Sequence, residues 1–343
     1  MSETTPLPVP MIDLVRAHRP IEAELEEAFR RVLHSGRFIL GDEVTGFEAE
    51  AAALLGSPHA IGVSSGTDAL LAAMMALDLG PGDEVVCPSF TFFATGGCVS
   101  RLGAVPAFTD VSEASFNMEV EHVEAAVGPR TRAIVVVHLF GRHAELGTFS
   151  FFPTKNLSAL GDAGLVVTGD DALAARVASL RMHGQGEEYI HHEIGGNFRI
   201  DALQAALLRV KLPHVLELNE RRRLAAARYA EIFAGAGLAG EDGPVVVPDP
   251  GREGEHVFHQ YVVRVPAERR DDLRAELAGD GIQTNVYYPL PLHRQACFAG
   301  GQAHDRALPV CERLSREVLA LPMHPDLEPA EQERVVDAIR RRL

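Results

Sequence analysis

Lys155 stands at the end of an apolar stretch, TFSFFPTKNLSALGDAG, flanked by Pro153, Asn156, Gly161 and Gly164. A lysine amine held in apolar surroundings is desolvated, which lowers its pKa and favours the neutral form able to make a Schiff base. On this segment alone, a side chain that snorkels to solvent is the simpler reading. Ser64-Ser65-Gly66-Thr67-Asp68 closes one apolar run and opens a helical one. A helix N-terminus there turns unpaired N–H groups and a positive dipole end toward an anion such as phosphate. The same small polar residues also make an ordinary helix cap. Phe92 and Phe93, in PSFTFFAT, lie just past a strand end, at the edge where doubly wound sheets bind ligands. One of the two rings can stack on an aromatic cofactor there, or simply fill core.

These residues need elements to hold them. Apolar residues at helical spacing (Ile21, Leu25, Ala28, Phe29, Val32) predict a helix from about Pro20 to Leu33, and a second is expected over Gly46 to Leu55. Short apolar runs follow, AIGVSS, EVVCPSF, VPAFTD and AIVVVHL, alternating with helical segments such as Thr67 to Leu77. Strands that are nearly all apolar and alternate with helices predict an α/β fold with a mostly parallel sheet covered on both faces. After Leu218 an Arg- and Ala-rich stretch, NERRRLAAARYAEIF, predicts a long helix. Behind it HQYVVRV, RRDDLRAELAGDG and a terminal helix from Glu328 to Arg342 predict a smaller C-terminal α+β domain, so the chain divides into residues 1–218 and 219–343. EDGPVVVPDPGREGE is expected to be a surface loop.

Composition narrows the classes. The chain has 343 residues, 46% hydrophobic and 23% charged, which suits a globular protein and excludes disorder and fibre. With 32 basic and 48 acidic side chains the formal charge is −16, which argues against general attraction to nucleic acid or an anionic membrane. Any anionic ligand must be held by a local site. No apolar run approaches the roughly 20 residues of a membrane helix, and MSETTPLPVP is not a basic region followed by an apolar core, so a cytoplasmic protein is expected. Cys87, Cys98, Cys297 and Cys311 make no C-x-x-C pair and no metal-ligand spacing, which fits free thiols and no metal.

In their order and content, many segments together resemble the sugar aminotransferases of the DegT/DnrJ/EryC1/StrS family, pyridoxal-phosphate enzymes of fold type I. The resemblance covers nearly the whole chain and includes SGRFILGDEVTGFE, VSSGTDALLAAM, GPGDEVVCPSFTF, VVVHLFGR, FSFFPTKNL, RMHGQGEEY, GGNFRIDALQAALLRVKL, VFHQYVVRV, YYPLPLH and ALPMHPDL. It implies a three-layer, mostly parallel sheet like that of aspartate aminotransferase, with a smaller C-terminal α+β domain. It also implies that Lys155 forms the Schiff base with pyridoxal 5'-phosphate and later serves as the free base that moves a proton. Gly66 and Thr67, helped by Ser150, would hold the cofactor phosphate, and Phe92 would cover one face of the pyridine ring. Asn197, in GGNFRID, would reach the phosphate of a neighbouring subunit, so the functional unit would be a homodimer with shared sites.

One feature of the family is missing. A carboxylate on the pyridine nitrogen makes the ring a strong electron sink, and the family supplies it from a strand ending in a motif of the type E-D-A-A-Q. Between AIVVVHL and TFSFF lie only Phe140-Gly141-Arg142-His143-Ala144-Glu145-Leu146-Gly147. A strand-helix-strand unit takes roughly 30 residues or more, so a strand and a helix near residues 140–147 are lacking, and Glu145 is the only carboxylate in the connection. The competing explanations are a segment of the molecule absent from this sequence, a deletion that leaves an inactive protein, and a site rebuilt around another residue. The intact lysine and motifs favour the first.

For the substrate, RMHGQGEEYIHHEIGGNFRIDALQAALLRVKL looks more like family members acting at the 3-position of a keto sugar than at the 4-position. The reading is an aminotransferase that moves an amino group from glutamate to a nucleotide-diphosphate keto sugar in amino-sugar biosynthesis. Tyr288 and His293 sit in a segment that comes near the sugar in relatives, or else form an edge strand and loop broken by Pro289 and Pro291. His183, His191 and His192 lack a third ligand at suitable spacing for a metal. The alternative from another class is an inactive relative that binds cofactor or nucleotide sugar as a structural or regulatory partner. A nucleotide-binding oxidoreductase is weaker, since no G-x-G-x-x-G follows the first strand.

Overall fold

A computed structural model describes residues 7–141, 147–187, 189–299 and 307–343. Glu145 lies outside the described residues. In chain order the main elements are helices α1 (Glu22–Ser35) and α2 (Asp42–Leu55), strand β1 (His59–Val63), α3 (Gly66–Ala76), β2 (Glu84–Pro88), α4 (Ala94–Arg101), β3 (Val105–Thr109), β4 (Thr131–Ile134), β5 (Thr148–Ser150) and β6 (Gly164–Thr168). They continue with α5 (Asp171–Leu180), α6 (Ala202–Lys211), α7 (Val215–Gly235), β7 (Tyr261–Arg264), α8 (Arg270–Gly279), α9 (Pro309–Glu317), β8 (Val318–Leu321) and α10 (Pro329–Arg340). Helix α2 begins four residues earlier than its apolar spacing suggests, because Asp42 and Glu43 occupy the first turn after Gly41, where a carboxylate meets the positive end of the helix dipole.

The strands lie in two separate three-stranded pieces around the active region. One has the order β3-β2-β4 and is parallel throughout, and the other has the order β1-β6-β5, with β6 antiparallel to both neighbours. The second piece is covered on both faces, and strand alternation explains how. Leu165 and Val167 pack on one side with Val44, Phe47 and Ala205, while Val166 packs on the other with Ala69, Ala72 and Val177. This is the layered α/β arrangement expected from the apolar strands.

Helix α3 joins the two pieces. Ala69, Ala72 and Ala76 face Ile61, Val63 and Val166 of one, and Leu71 and Met74 face Val85 near Cys98 and Val99 of the other. Among the described residues no ladder links β4 to β5.

Behind these layers, β7 pairs with β8 in an antiparallel ribbon, with α8 packed on β8 and α10 packed on α8 and α7. The boundary at Leu218/Asn219 falls inside α7, which runs continuously from Val215 to Gly235. One apolar cluster carries Cys87, Phe90 and Phe108 together with Tyr229, Phe233, Leu273 and Val336, so the core is continuous across that boundary. The predicted loop at 241–255 is only partly superficial: Val245 is buried and Val246 bridges Arg264, because its three valines supply apolar surface that the β7 edge can cover. All four cysteines are free thiols. Among the described residues no helix is long and apolar enough to cross a membrane.

Candidate active site

The first turn of α3 is wedged against β5 and β6, and glycines make the approach possible. A Cβ on Gly66 would lie 2.4 Å from the Ser150 Cβ, and one on Gly164 would lie 2.3 Å from the Ser65 carbonyl oxygen. Ser150 and Gly164 are themselves partners in the β5–β6 ladder. Ser65 caps the helix, its Oγ accepting from the Asp68 amide at 3.0 Å, while the Ser64 hydroxyl donates to the Asp68 carboxylate at 2.6 Å. The N–H groups of Gly66 and Thr67 have no carbonyl one turn back to bond. With the Ser150 hydroxyl, whose residue lies against Gly66, they make a donor set suited to a phosphate.

Lys155 sits on the turn that follows β5. Its amide donates to the Phe152 carbonyl at 2.8 Å, and the Ala159 amide closes the turn onto Phe151 at 2.7 Å. The Asn156 amide group ties this turn to Asn219 on α7 at 2.7 Å and to the Val257 carbonyl at 3.0 Å. The Lys155 side chain does not snorkel. Its Nζ lies 3.3 Å from His259 Nε2, and burial lowers the amine's pKa. His259 is half-buried, and desolvation, followed by the charges of Lys155 and Arg222, holds it well below the ordinary histidine value, so the ring is neutral. The buried Arg222 guanidinium, lowered to about 10 by desolvation, donates to the carbonyls of Phe258 and Met323 and so fixes the backbone that carries His259. Lys211 fastens the far side of the lysine turn, its Nζ donating to the Ser158 carbonyl at 2.8 Å and lying 2.8 Å from His18 Nε2.

The sequence-predicted residues fall into three groups. Ser150, Gly66 and Thr67 meet at the α3–β5 junction, and Lys155 stands on the turn five residues beyond Ser150, with its amine beside His259. Phe92 and Asn197 are exposed, Phe92 beyond the C-terminal end of β2 and Asn197 on an extended segment that bridges Met182. Tyr288 and His293 pack inward. Tyr288 meets Phe90 edge-on with ring centroids 6.2 Å apart, and burial raises its phenol pKa. His293 is fully buried with both ring nitrogens engaged, Nδ1 2.7 Å from Ser89 Oγ and Nε2 3.1 Å from Glu312 Oε1. As it stands, His293 ties the end of β2 to α9 and offers no free nitrogen to a sugar. His259 and Arg222 escaped sequence reasoning, because HQYVVRV reads only as a strand and the partner of His259 is 104 residues away.

The fit to pyridoxal phosphate is uneven. An amine with lowered pKa fits the aldehyde end, and a helix N-terminus with a serine hydroxyl fits the phosphate end. For the ring nitrogen, residues 131–141 and 147–155, which run along the edges of both sheet pieces to Lys155, include no aspartate or glutamate.

Comparison with known proteins points the same way. The profile of the DegT/DnrJ/EryC1/StrS aminotransferase family matches residues 20–147 and again 141–340. The chain is 41% identical to a Geobacillus stearothermophilus protein named a pleiotropic regulatory protein, over 96% of this chain and 97% of that one. It is 39% identical to the UDP-N-acetyl-3-dehydro-alpha-D-glucosamine 3-aminotransferase of Acidithiobacillus ferrooxidans, over 98% of both. Its fold superposes with a TM-score of 0.92 on DesV of S. venezuelae, solved in complex with a ketimine intermediate, at 39% identity and 98% coverage of each chain.

Proposed function

The chain belongs to the DegT/DnrJ/EryC1/StrS family of pyridoxal-phosphate-dependent sugar aminotransferases, and we propose that it moves an amino group from glutamate to the 3-keto carbon of a nucleotide-diphosphate sugar. The observation that carries this reading is Lys155, a half-buried amine whose pKa is lowered by desolvation, on the turn that follows the strand whose Ser150 lies against Gly66 at the first turn of α3. Several relatives named for their substrates carry the new nitrogen at carbon 3, which supports the 3-position.

The bound cofactor supplies an aldehyde for capture of amino groups and a ring that accepts electrons from the reacting carbon. The protein's share is positioning and proton traffic. Gly66, Thr67 and Ser150 would hold the phosphate and so orient the cofactor. Lys155 is nucleophilic because burial favours its neutral amine, and a neutral His259 as its neighbour leaves that amine without a carboxylate to hold it protonated. Once free, the same Nζ accepts and returns a proton at the substrate carbon. Phe92 is exposed at the sheet edge, where it can cover a ring. Asn197 is exposed, which leaves it free to serve the site of a second copy in the proposed homodimer.

The test is borohydride reduction of the protein with pyridoxal phosphate, followed by peptide mapping, together with amino transfer from a nucleotide 3-amino sugar to 2-oxoglutarate. Label confined to Lys155 and formation of glutamate support the proposal; absence of label at Lys155 refutes it.

A further inference from the structure

We propose that this chain lacks one strand-helix unit between Gly141 and Gly147, and that the carboxylate such a unit would bring to the cofactor's ring nitrogen is missing with it. The inference rests on the reading of Lys155 given above and deepens it. The phosphate and lysine ends of the site are kept, and the end that holds a proton on the ring nitrogen is lost.

Three observations meet at this point of the chain, and the length of a relative agrees with them. The family profile does not match in one pass; its two matches overlap at residues 141–147. The alignment with the Geobacillus relative spans 369 positions, and since 96% of 343 residues is about 329, about 40 positions are filled by the relative alone. The sheet comes apart at the same place, β4 ending one piece and β5 ending the other, while α3 still packs on both. Finally, the two free edges carry apolar side chains in the open. Ile134 is 47% exposed, Val136 47%, Phe149 36% and Phe152 50%. The runs AIVVV and TFSFF have the composition of strands covered on both faces, and the inner strand β6 of the same layer is buried along its whole length. A strand with its crossover helix, set between β4 and β5, would pair both edges and cover these side chains. The residues joining Gly141 to Gly147 number five, too few for such a crossover, which takes a dozen or more.

The consequence is chemical. A pyridine nitrogen without an acidic partner loses its proton more readily, and an uncharged ring is a poorer electron sink. Capture of the cofactor at Lys155 does not need that proton, whereas proton removal from the substrate carbon does.

Three preparations test this: the chain with pyridoxal phosphate, the chain with N-methylpyridoxal phosphate, whose ring charge is fixed, and a variant carrying the extra segment of the Acidithiobacillus relative between Gly141 and Gly147. Each is assayed for borohydride label at Lys155, for glutamate formation from a nucleotide 3-amino sugar and 2-oxoglutarate, and for amide hydrogen exchange in β4 and β5. The expected result is label at Lys155 in all three, with turnover on the order of 100-fold faster for the N-methyl cofactor and for the insertion than for the first preparation. Slowed exchange at the β4 and β5 edges is expected in the insertion variant alone. Equal turnover in all three overturns the inference. Rescue by the insertion without rescue by the N-methyl cofactor overturns the ring-nitrogen assignment. Should the insertion variant fail to fold, the N-methyl comparison decides by itself. Missing label at Lys155 in every preparation refutes the proposed function instead.

Discussion

Replacing Gly66 with alanine tests whether the α3–β5 junction holds the cofactor phosphate. The new Cβ would stand 2.4 Å from the Ser150 Cβ and 3.0 Å from its Cα. Neither atom can swing away, because Ser150 is paired with Gly164 in the β5–β6 ladder. Retreat to the other side is also closed, since the Ser65 carbonyl already lies where a Cβ on Gly164 would stand. The first turn of α3 must lift off the sheet, at a cost of about 1–3 kcal/mol in overpacking. Its N–H groups move with it. Loss of one hydrogen bond to a charged phosphate costs about 1.5–3 kcal/mol, which weakens cofactor binding about 10- to 100-fold. Titration with pyridoxal phosphate followed by absorbance, alongside thermal unfolding of the free protein, measures the two effects separately. Gly80→Ala is the control, because a Cβ there meets nothing within 4 Å. If Gly66→Ala binds the cofactor within two-fold of the parent and unfolds at the same temperature, the wedge argument is wrong.

Three further substitutions probe the surroundings. Lys155→Ala should abolish borohydride labelling while leaving the fold intact by circular dichroism; in the parent, burial lowers the amine's pKa, so the rate of capture should level off at a lower pH than for a free lysine. Lys211 is lowered to about 8 by desolvation, so between about pH 8 and its unfolded value near 10.5 the unfolded chain binds a proton the native one has released, and stability must rise with pH across that window. Lys211→Met should flatten this rise by up to about 3 kcal/mol in denaturant titrations, and an unchanged slope would refute the assignment. His293→Ala removes a fully buried ring bonded to Ser89 and Glu312 and should cost about 2–4 kcal/mol of unfolding free energy; a loss under about 0.5 kcal/mol would show that the bridge is idle.

Local sequence was informative wherever a single element decides the outcome. The apolar runs AIGVSS, EVVCPSF and VPAFTD correspond to β1, β2 and β3, and the helix expected over Thr67–Leu77 is α3. Small residues in the first turn of α3 also carried a legible signal, because a close approach to a strand demands them. Partnerships across long stretches of chain left no such trace. Nothing in VFHQYVVRV distinguishes His259 as the neighbour of a lysine 104 residues earlier. The burial of His293 likewise depends on Ser89, which is 204 residues away. A histidine between two prolines and an arginine reads equally well as a ligand contact or as an interdomain tie, and only packing separates them.

The run AIVVVHL shows why one discrepancy with the sequence has physical meaning. Its composition is that of a central strand, yet regular pairing ends at Ile134, with only the Val135 amide bonding onward to the Val86 carbonyl at 2.8 Å. Central strands are held from both sides, each ladder supplying partners for alternate N–H and C=O groups. With β2 alone as neighbour among the described residues, β4 has half of that support, and Ile134 and Val136 turn apolar surface to solvent. β5 shows the same defect from the opposite side, with Phe149 and Phe152 exposed and only β6 as partner. Two strands written for the interior and found at edges, facing one connection too short to hold another strand, are hard to reconcile with a sheet complete in six strands. They follow directly if one strand is missing between them. The same absence accounts for a proposed cofactor site with a lysine and phosphate donors but, among the described residues of the β4 and β5 segments, no acid for the ring nitrogen.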